Sequence, residues 1–283
     1  MRNFYVAVAV LVAGFSVPLY HLVQFALQSE LYSHTILVPF ISLYLVWMKR
    51  HSLPPRSRPD HRLAILPLVA GLALLAGRFT STLDPEDALA LTILAFVLLF
   101  AGVCMLFLGR QTLRAITFPL GFLVFMAPFP TSVTEWIGTK LQHTSASAAY
   151  LFFRLGGTTV FRDDTFFQLP GMKLMVAPEC SGIHSTLALF ITSLVAGYFF
   201  LNSGWKRALL ALAVFPLAIF RNGFRVFVIG ELCVHIGPEM IDSYIHRHGG
   251  PIFFVLSLLP LFLFLRFLMK SESRPRRTAP IAP

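Results

Sequence analysis

The chain has 283 residues, of which 56% are hydrophobic and only 13% are charged, against about a quarter charged in an ordinary soluble domain. This composition excludes a water-soluble globular domain and indicates a polytopic membrane protein surrounded by membrane lipids. The formal net charge of +10 does not indicate nucleic-acid binding, because the basic residues cluster in short segments between apolar runs.

The apolar runs predict an all-α membrane helical bundle of about eight transmembrane helices. The first run follows Met1-Arg2-Asn3 without a small-x-small cleavage site, so we expect a retained span and not a signal peptide. We find no internal repeat. In chain order the predicted spans are residues 4–27, 36–48, 63–76, 88–108, 115–129, 183–201, 208–228 and 251–269.

The charges of the loops predict the orientation in the cytoplasmic (inner) membrane. The loop over residues 49–62 is rich in Lys and Arg, whereas the loop over residues 83–87 is acidic and has neither. Eight spans put every basic short loop on one side, so both termini are expected in the cytoplasm. Residues 1–269 then form a single integral membrane domain, and the basic tail over residues 270–283 is expected to be disordered and cytoplasmic.

One long region, residues 131–179, is predicted not to span the membrane and to lie on the extracytoplasmic side. It begins with an amphipathic piece that contains Trp136 and Leu141. Residues 156–171 then alternate between polar and apolar types and contain Gly and Pro at turns, which predicts a small hairpin before the sixth span.

A thiol stands at the end of this region. Cys180 lies on a corner flanked by Pro178 and Gly182, directly before the sixth span. Ser181 is a good N-cap, so we expect Cys180 at the positive end of a helix, where a thiolate is favoured. Glu179 opposes this effect, and the thiol therefore needs a cation nearby.

The predicted topology brings cations and imidazoles to the same side of the membrane. Arg221 and Arg225 are four residues apart, share one helix face, and lie towards the outer end of the seventh span. His246 and His248 come directly before the eighth span, also outside. A thiol, an imidazole and a buried cation are the groups that nucleophilic acyl transfer requires.

Several histidines compete for the role of base. Asp242 precedes His246 by four residues, so on a helix it holds the imidazole in one tautomer. His184 follows Cys180 by four residues and is a rival base on the same helix face. A metal site built from His184, His246, His248 and Cys180 matches no zinc spacing, so neither a metal nor a cofactor is predicted.

Five blocks of sequence, in order, resemble the exosortase/archaeosortase family of membrane transpeptidases. The third block, Val-Ala-Pro-Glu-Cys-Ser-Gly-Ile, resembles the family's nucleophile motif, and the fourth, Arg-Asn-Gly-Phe-Arg-Val, resembles its arginine block. The blocks are residues 32–47, 118–130, 176–183, 221–226 and 246–250.

The resemblance implies a cysteine peptidase or transpeptidase with Cys180 as nucleophile. Arg225 fits the family's arginine best, with Arg221 also a candidate, and His246 fits the histidine spacing better than His248 does. The implied substrates are exported proteins that end in a short sorting motif, a transmembrane helix and a basic tail. The thioester acyl-enzyme is passed to an acceptor at the cell surface, or to water in a protease.

Two other classes of function remain as alternatives. In an anion-conducting transporter, Arg221 and Arg225 line the path and no thiol is needed. In a noncatalytic factor for surface polymer export, none of the three groups is individually required. Sensitivity to thiol alkylation separates the enzyme from the transporter.

Overall fold

The structure is a computed structural model that describes residues 2–51, 53, 61–177, 181–242 and 244–272, with the backbone alone at residues 61, 242 and 244–249. Of the described residues, 82% are helical, which confirms the predicted all-α membrane protein. The helices are α1 (Arg2–Gly14), α2 (Ser16–Gln28), α3 (Leu37–Met48), α4 (His61–Thr80), α5 (Pro85–Leu108), α6 (Arg110–Phe122), α7 (Thr131–Leu155), α8 (Ile183–Phe200), α9 (Gly204–His235) and α10 (Tyr244–Glu272).

Five of these helices, α4, α5, α8, α9 and α10, are individually long and apolar enough to cross a membrane. Two further spans arise if each sharply bent helix pair counts as one, namely α1 with α2 (61°) and α6 with α7 (91°). The predicted second span forms only a short apolar helix over Ser33–Met48, about 24 Å long at helical rise. The described residues thus give five to seven candidate spans, and the count of eight stays a prediction.

The chain divides into two compact units, Met1–Thr134 and Glu135–Pro283. In the first unit, α4 and α5 pack closely because leucines of one helix fill the space over glycines of the other. A Cβ on Gly71 would lie 2.8 Å from Cγ of Leu99, and one on Gly102 would lie 2.6 Å from Cγ of Leu68. Small residues at such crossings let membrane helices approach each other.

The second unit contains a three-stranded antiparallel sheet in the order β1 (Phe161–Asp163), β2 (Phe166–Leu169) and β3 (Met172–Met175). The predicted hairpin is confirmed, and β3 extends it beyond residue 171. The amphipathic piece before it, predicted to contain Trp136, Leu141, Tyr150, Phe152 and Phe153, lies within the 25-residue helix α7. Phe153 of α7, Phe167 and Leu174 of the sheet, and Val226 of α9 share one buried core.

Helices α8, α9 and α10 form the remainder of the second unit around a second core that includes Leu189, Leu210 and Leu265. The carboxylate of Glu272, at the end of α10, accepts hydrogen bonds from the backbone N–H groups of Asn202 (3.0 Å) and Ser203 (2.9 Å). These N–H groups precede α9, so the carboxylate satisfies donors at the start of that helix. The start of α9 is thereby fixed to the end of α10.

Candidate functional site

The segment that carries the predicted nucleophile leaves the sheet through β3. Val176, directly after β3, is 2% exposed, and its carbonyl accepts a 2.6 Å hydrogen bond from Nε2 of Gln142 in α7. Cys180 itself lies outside the described residues. It is joined by one peptide bond to Ser181, which is 2% exposed. The described residues on both sides of Cys180 are therefore held by packing or hydrogen bonding.

A left-handed glycine, and not Ser181, precedes the helix after the thiol. Helix α8 begins at Ile183, and Gly182 occupies the N-cap position with φ +77°. The prediction that Ser181 is the N-cap is therefore wrong, because the chain turns one residue later at a conformation that favours glycine. The carbonyl of Gly182 accepts hydrogen bonds from the backbone N–H (2.9 Å) and the hydroxyl (2.7 Å) of Thr186.

Arg221 reaches this turn from the middle of α9. Its side chain is 7% exposed, and Nη2 donates a 2.6 Å hydrogen bond to Oγ of Ser185 in the first turn of α8. Nη1 is buried and has no hydrogen-bond partner among the described residues. Among the described residues Arg221 forms no ion pair, and burial of a cation without a counter-charge is costly.

Close approach of α8 and α9 depends on Gly182. A Cβ at this position would lie 3.1 Å from Cγ of Asn222 and 3.3 Å from Nη2 of Arg221. The backbone two residues after Cys180 therefore lies directly against the buried guanidinium. The next residue of α9, Gly223, contacts α7, because a Cβ there would lie 2.6 Å from Cβ of Ala148.

Arg225 is half-buried one turn further along α9. It lines a cavity of about 20 Å³ between β3 and α9, together with Met175 and Asn222 among others. A space of this size holds about one water molecule. Arg225 therefore lies beside the strand that leads to Cys180, whereas Arg221 lies beside the turn that follows it.

Three histidines are candidates for the base. His184 is exposed in the first turn of α8, and Cys180, with which it was expected to share a helix face, lies outside the described residues. His246 and His248 lie in the first turns of α10, directly before its apolar stretch Gly250–Glu272, so they precede the last candidate span as predicted. Asp242 ends a separate 3₁₀ helix, Pro238–Asp242, so it does not share a helix with His246.

The sequence indicates Arg221 as a site residue but does not indicate its hydrogen-bond partner Ser185. A hydroxyl at the start of an apolar helix, five residues after the cysteine, is the signal that the sequence offers. This signal is weak without the left-handed turn at Gly182, which directs the hydroxyl of Ser185 towards Arg221.

A larger cavity, of about 440 Å³, lies in the first unit, where Arg78 and Glu86 line it among apolar side chains. The site residues with described side chains, His184, Arg221 and Arg225, are not among its lining residues. Among the described side chains, which exclude those of Cys180, His246 and His248, no group of three or more His, Cys, Asp or Glu residues is placed to hold a metal ion.

Comparison with known proteins gives one match. A family model described as transmembrane exosortase (Exosortase_EpsH) matches residues 26–263. No curated protein and no solved structure matches the chain significantly. The matched range includes every candidate site residue.

Proposed function

Because the chain belongs to the transmembrane exosortase family, whose members are generally membrane peptidases or transpeptidases, we propose that it is a cysteine transpeptidase of the cytoplasmic membrane. Cys180 is the nucleophile of this proposal. The enzyme cleaves the C-terminal sorting signal of exported proteins and transfers the shortened protein to an acceptor at the cell surface.

The observation that carries the proposal is the buried guanidinium of Arg221. Its Nη2 is held by Ser185, while Nη1 has no partner in the part of the chain that the structure describes. Both nitrogens belong to a group packed against Gly182, two residues from the thiol. A fixed cation beside a nucleophile stabilises the thiolate and the oxyanion that forms from a carbonyl.

The first half of the reaction is acylation. Cys180 passes its proton to His246, and the resulting thiolate attacks the scissile carbonyl carbon, so that the carbonyl oxygen becomes an oxyanion that Arg221 or Arg225 stabilises. The oxyanion then collapses, the carbon–nitrogen bond breaks, and His246 gives a proton to the leaving amine. A thioester joins Cys180 to the exported protein, and the anchor helix departs with the new amine.

The second half resolves the thioester. An acceptor amine or hydroxyl gives its proton to the imidazole and attacks the thioester carbon, after which the carbon–sulfur bond breaks and the thiolate returns. Water in place of the acceptor yields a carboxylate and makes the enzyme a protease. His248 and His184 are the other candidates for the proton carrier.

Replacement of Cys180 tests the proposal directly. We expect Cys180→Ala and Cys180→Ser to insert and fold like the wild type but to abolish processing of exported proteins in the native membrane. The control is Cys233→Ser, since Cys233 is a buried cysteine of α9 to which the proposed mechanism gives no role. Continued processing by both Cys180 variants would remove the thioester from the mechanism.

The same variants separate an enzyme from an anion transporter. Alkylation of Cys180 by iodoacetamide should stop processing in the wild type and in Cys233→Ser. Anion flux through reconstituted protein that persists after complete alkylation would favour a transporter, since a path lined by Arg221 and Arg225 needs no thiol.

A further inference from the structure

Strand β3 lies at the edge of the sheet. In the part of the chain that the structure describes, the order β1-β2-β3 leaves β3 bonded to β2 alone. Edge strands expose a row of backbone N–H and C=O groups that accepts another extended chain. The residues of β3 that present these groups, and their distance along the chain from the proposed nucleophile, decide whether such a chain could be the substrate.

The register of the sheet identifies the residues that face outwards. The N–H of Val176 donates a 3.0 Å hydrogen bond to the carbonyl of Thr165, and the pairs Phe166↔Met175 and Gln168↔Lys173 follow in register. Antiparallel pairs alternate between hydrogen-bonded and non-hydrogen-bonded. The pairs that contain Met175 and Lys173 are therefore non-hydrogen-bonded, and the backbone groups of these two residues point away from β2.

These backbone groups are available to a partner. No described residue makes a hydrogen bond to the backbone of Lys173 or Met175 on the outer side of β3. Both side chains are exposed, while Leu174 between them is buried in the core. Beside Met175, a cavity of about 20 Å³ lies between β3 and Arg225.

The free edge lies close to the proposed nucleophile along the chain. Cys180 comes five residues after Met175, and the carbonyl of Val176 is anchored to α7 by Gln142. An extended chain rises about 3.3 Å per residue, so a peptide paired with β3 needs only a few residues to reach the thiol. The free edge and the proposed nucleophile thus belong to one continuous segment.

We propose that β3 binds the peptide substrate as an added strand, with the backbone groups of Lys173 and Met175 pairing with the residues next to the scissile bond. This inference rests on the proposed function and specifies how the same site recognises its substrate. Strand addition derives affinity from main-chain hydrogen bonds and leaves side-chain choice to pockets beside alternate residues. The substrate is therefore read in an extended conformation.

The first test changes only the probe. The full-length protein is treated with four-residue peptidyl vinyl sulfones of randomised sequence, and alkylation of Cys180 is followed by mass spectrometry. We expect faster labelling than with iodoacetamide. N-methylation of the peptide amides that face β3, which are every second amide, should slow labelling about fivefold, because one neutral hydrogen bond is lost. N-methylation of the intervening amides, which face away from β3, should slow labelling less than about half as much.

The second test changes only the protein. Met175→Pro removes the outward N–H without breaking the ladder to β2, whereas Met175→Ala loses the same side chain and keeps the N–H. We expect peptide labelling of the proline variant to be about fivefold slower than that of the alanine variant, again the cost of one neutral hydrogen bond. Equal iodoacetamide rates in the two variants would show that the nucleophile segment is intact in both.

Several outcomes would overturn strand addition. They are equal peptide labelling of the two Met175 variants, equal effects of N-methylation at every position, and peptides no faster than iodoacetamide. A change of oligomeric state in Met175→Pro with unchanged peptide labelling would instead assign the edge to a second copy of the chain. If Cys180→Ser still abolishes processing in cells, the proposed function survives any of these results.

Discussion

The hydroxyl of Ser185 accepts a 2.6 Å hydrogen bond from the buried guanidinium of Arg221. Replacement of Ser185 by Ala deprives this charged donor of its acceptor, at a cost of about 1–3 kcal/mol. We expect Ser185→Ala to lower the processing rate about 5- to 150-fold, which corresponds to that cost, while Cys180 remains present and accessible. The measurement is the initial rate of substrate cleavage in membranes.

Ser185→Thr is the matched control, because threonine keeps a hydroxyl acceptor at the same position. It should restore most of the rate lost in Ser185→Ala, a rescue that a purely structural role in packing does not explain. A wild-type rate in Ser185→Ala would show that Arg221 does not need this partner.

Two glycines have almost the same backbone conformation but different surroundings, so alanine substitutions at both distinguish the effect of backbone strain from the effect of a side-chain clash. Gly182 has φ +77° and faces Asn222, whereas Gly157 has φ +79° and open space where a Cβ would lie, with no atom within 4 Å. Alanine at either site incurs the left-handed penalty of about 1–2 kcal/mol. Only Gly182→Ala also pushes the nucleophile segment from α9, so we expect it to abolish processing and Gly157→Ala to retain it at permissive temperature.

At the scale of elements, the crossing of α7 and α9 determines where Arg221 lies. A Cβ on Gly223 would come within 2.6 Å of Cβ of Ala148 and 3.0 Å of the backbone nitrogen of Ala149. Gly223→Ala should therefore separate the helices and destabilise the protein by about 1–3 kcal/mol. Thermal unfolding in detergent measures the change.

Gly138 supplies the comparison within α7, since nothing lies within 4 Å of its Cβ position. Gly138→Ala should be neutral or stabilising by about 0.5–1 kcal/mol, because alanine is the better helix former. An equal loss of stability in Gly138→Ala and Gly223→Ala would contradict the role given to the crossing.

The elements that the sequence predicts well are those whose physical cause is local. The predicted span at residues 88–108 agrees with α5, because a continuous apolar run follows Pro85 and two acidic residues of the first turn. The burial of small side chains along α7 is not predictable in this way, since Ser145 and Ala149 are buried only through contacts made in the fold. The role of Ser185 is not predicted for the same reason, because its hydrogen bond with Arg221 depends on the turn at Gly182.

For the whole molecule, the orientation in the membrane is the prediction with the widest consequences. We expect Cys180 to react with a membrane-impermeant maleimide added from the extracytoplasmic side of intact cells. Cys104 and Cys233 are buried and should stay unlabelled. Ser203→Cys, made in Cys180→Ser, marks the junction of α8 and α9 and should react only after the cells are opened.

The reverse pattern, with residue 203 labelled in intact cells and Cys180 protected, would place the thiol in the cytoplasm. Exported substrates would then be out of reach, and the proposed reaction would be excluded even though the chain belongs to this family.

The described residues on either side of Cys180 are held in place, Val176 by the hydrogen bond from Gln142 and Gly182 by its contact with Asn222. In the proposed reaction, we therefore expect the acceptor to enter the position that the released anchor helix has left. The released anchor helix and the acceptor then compete for the same position, so an excess of free anchor peptide should inhibit transfer competitively with respect to the acceptor.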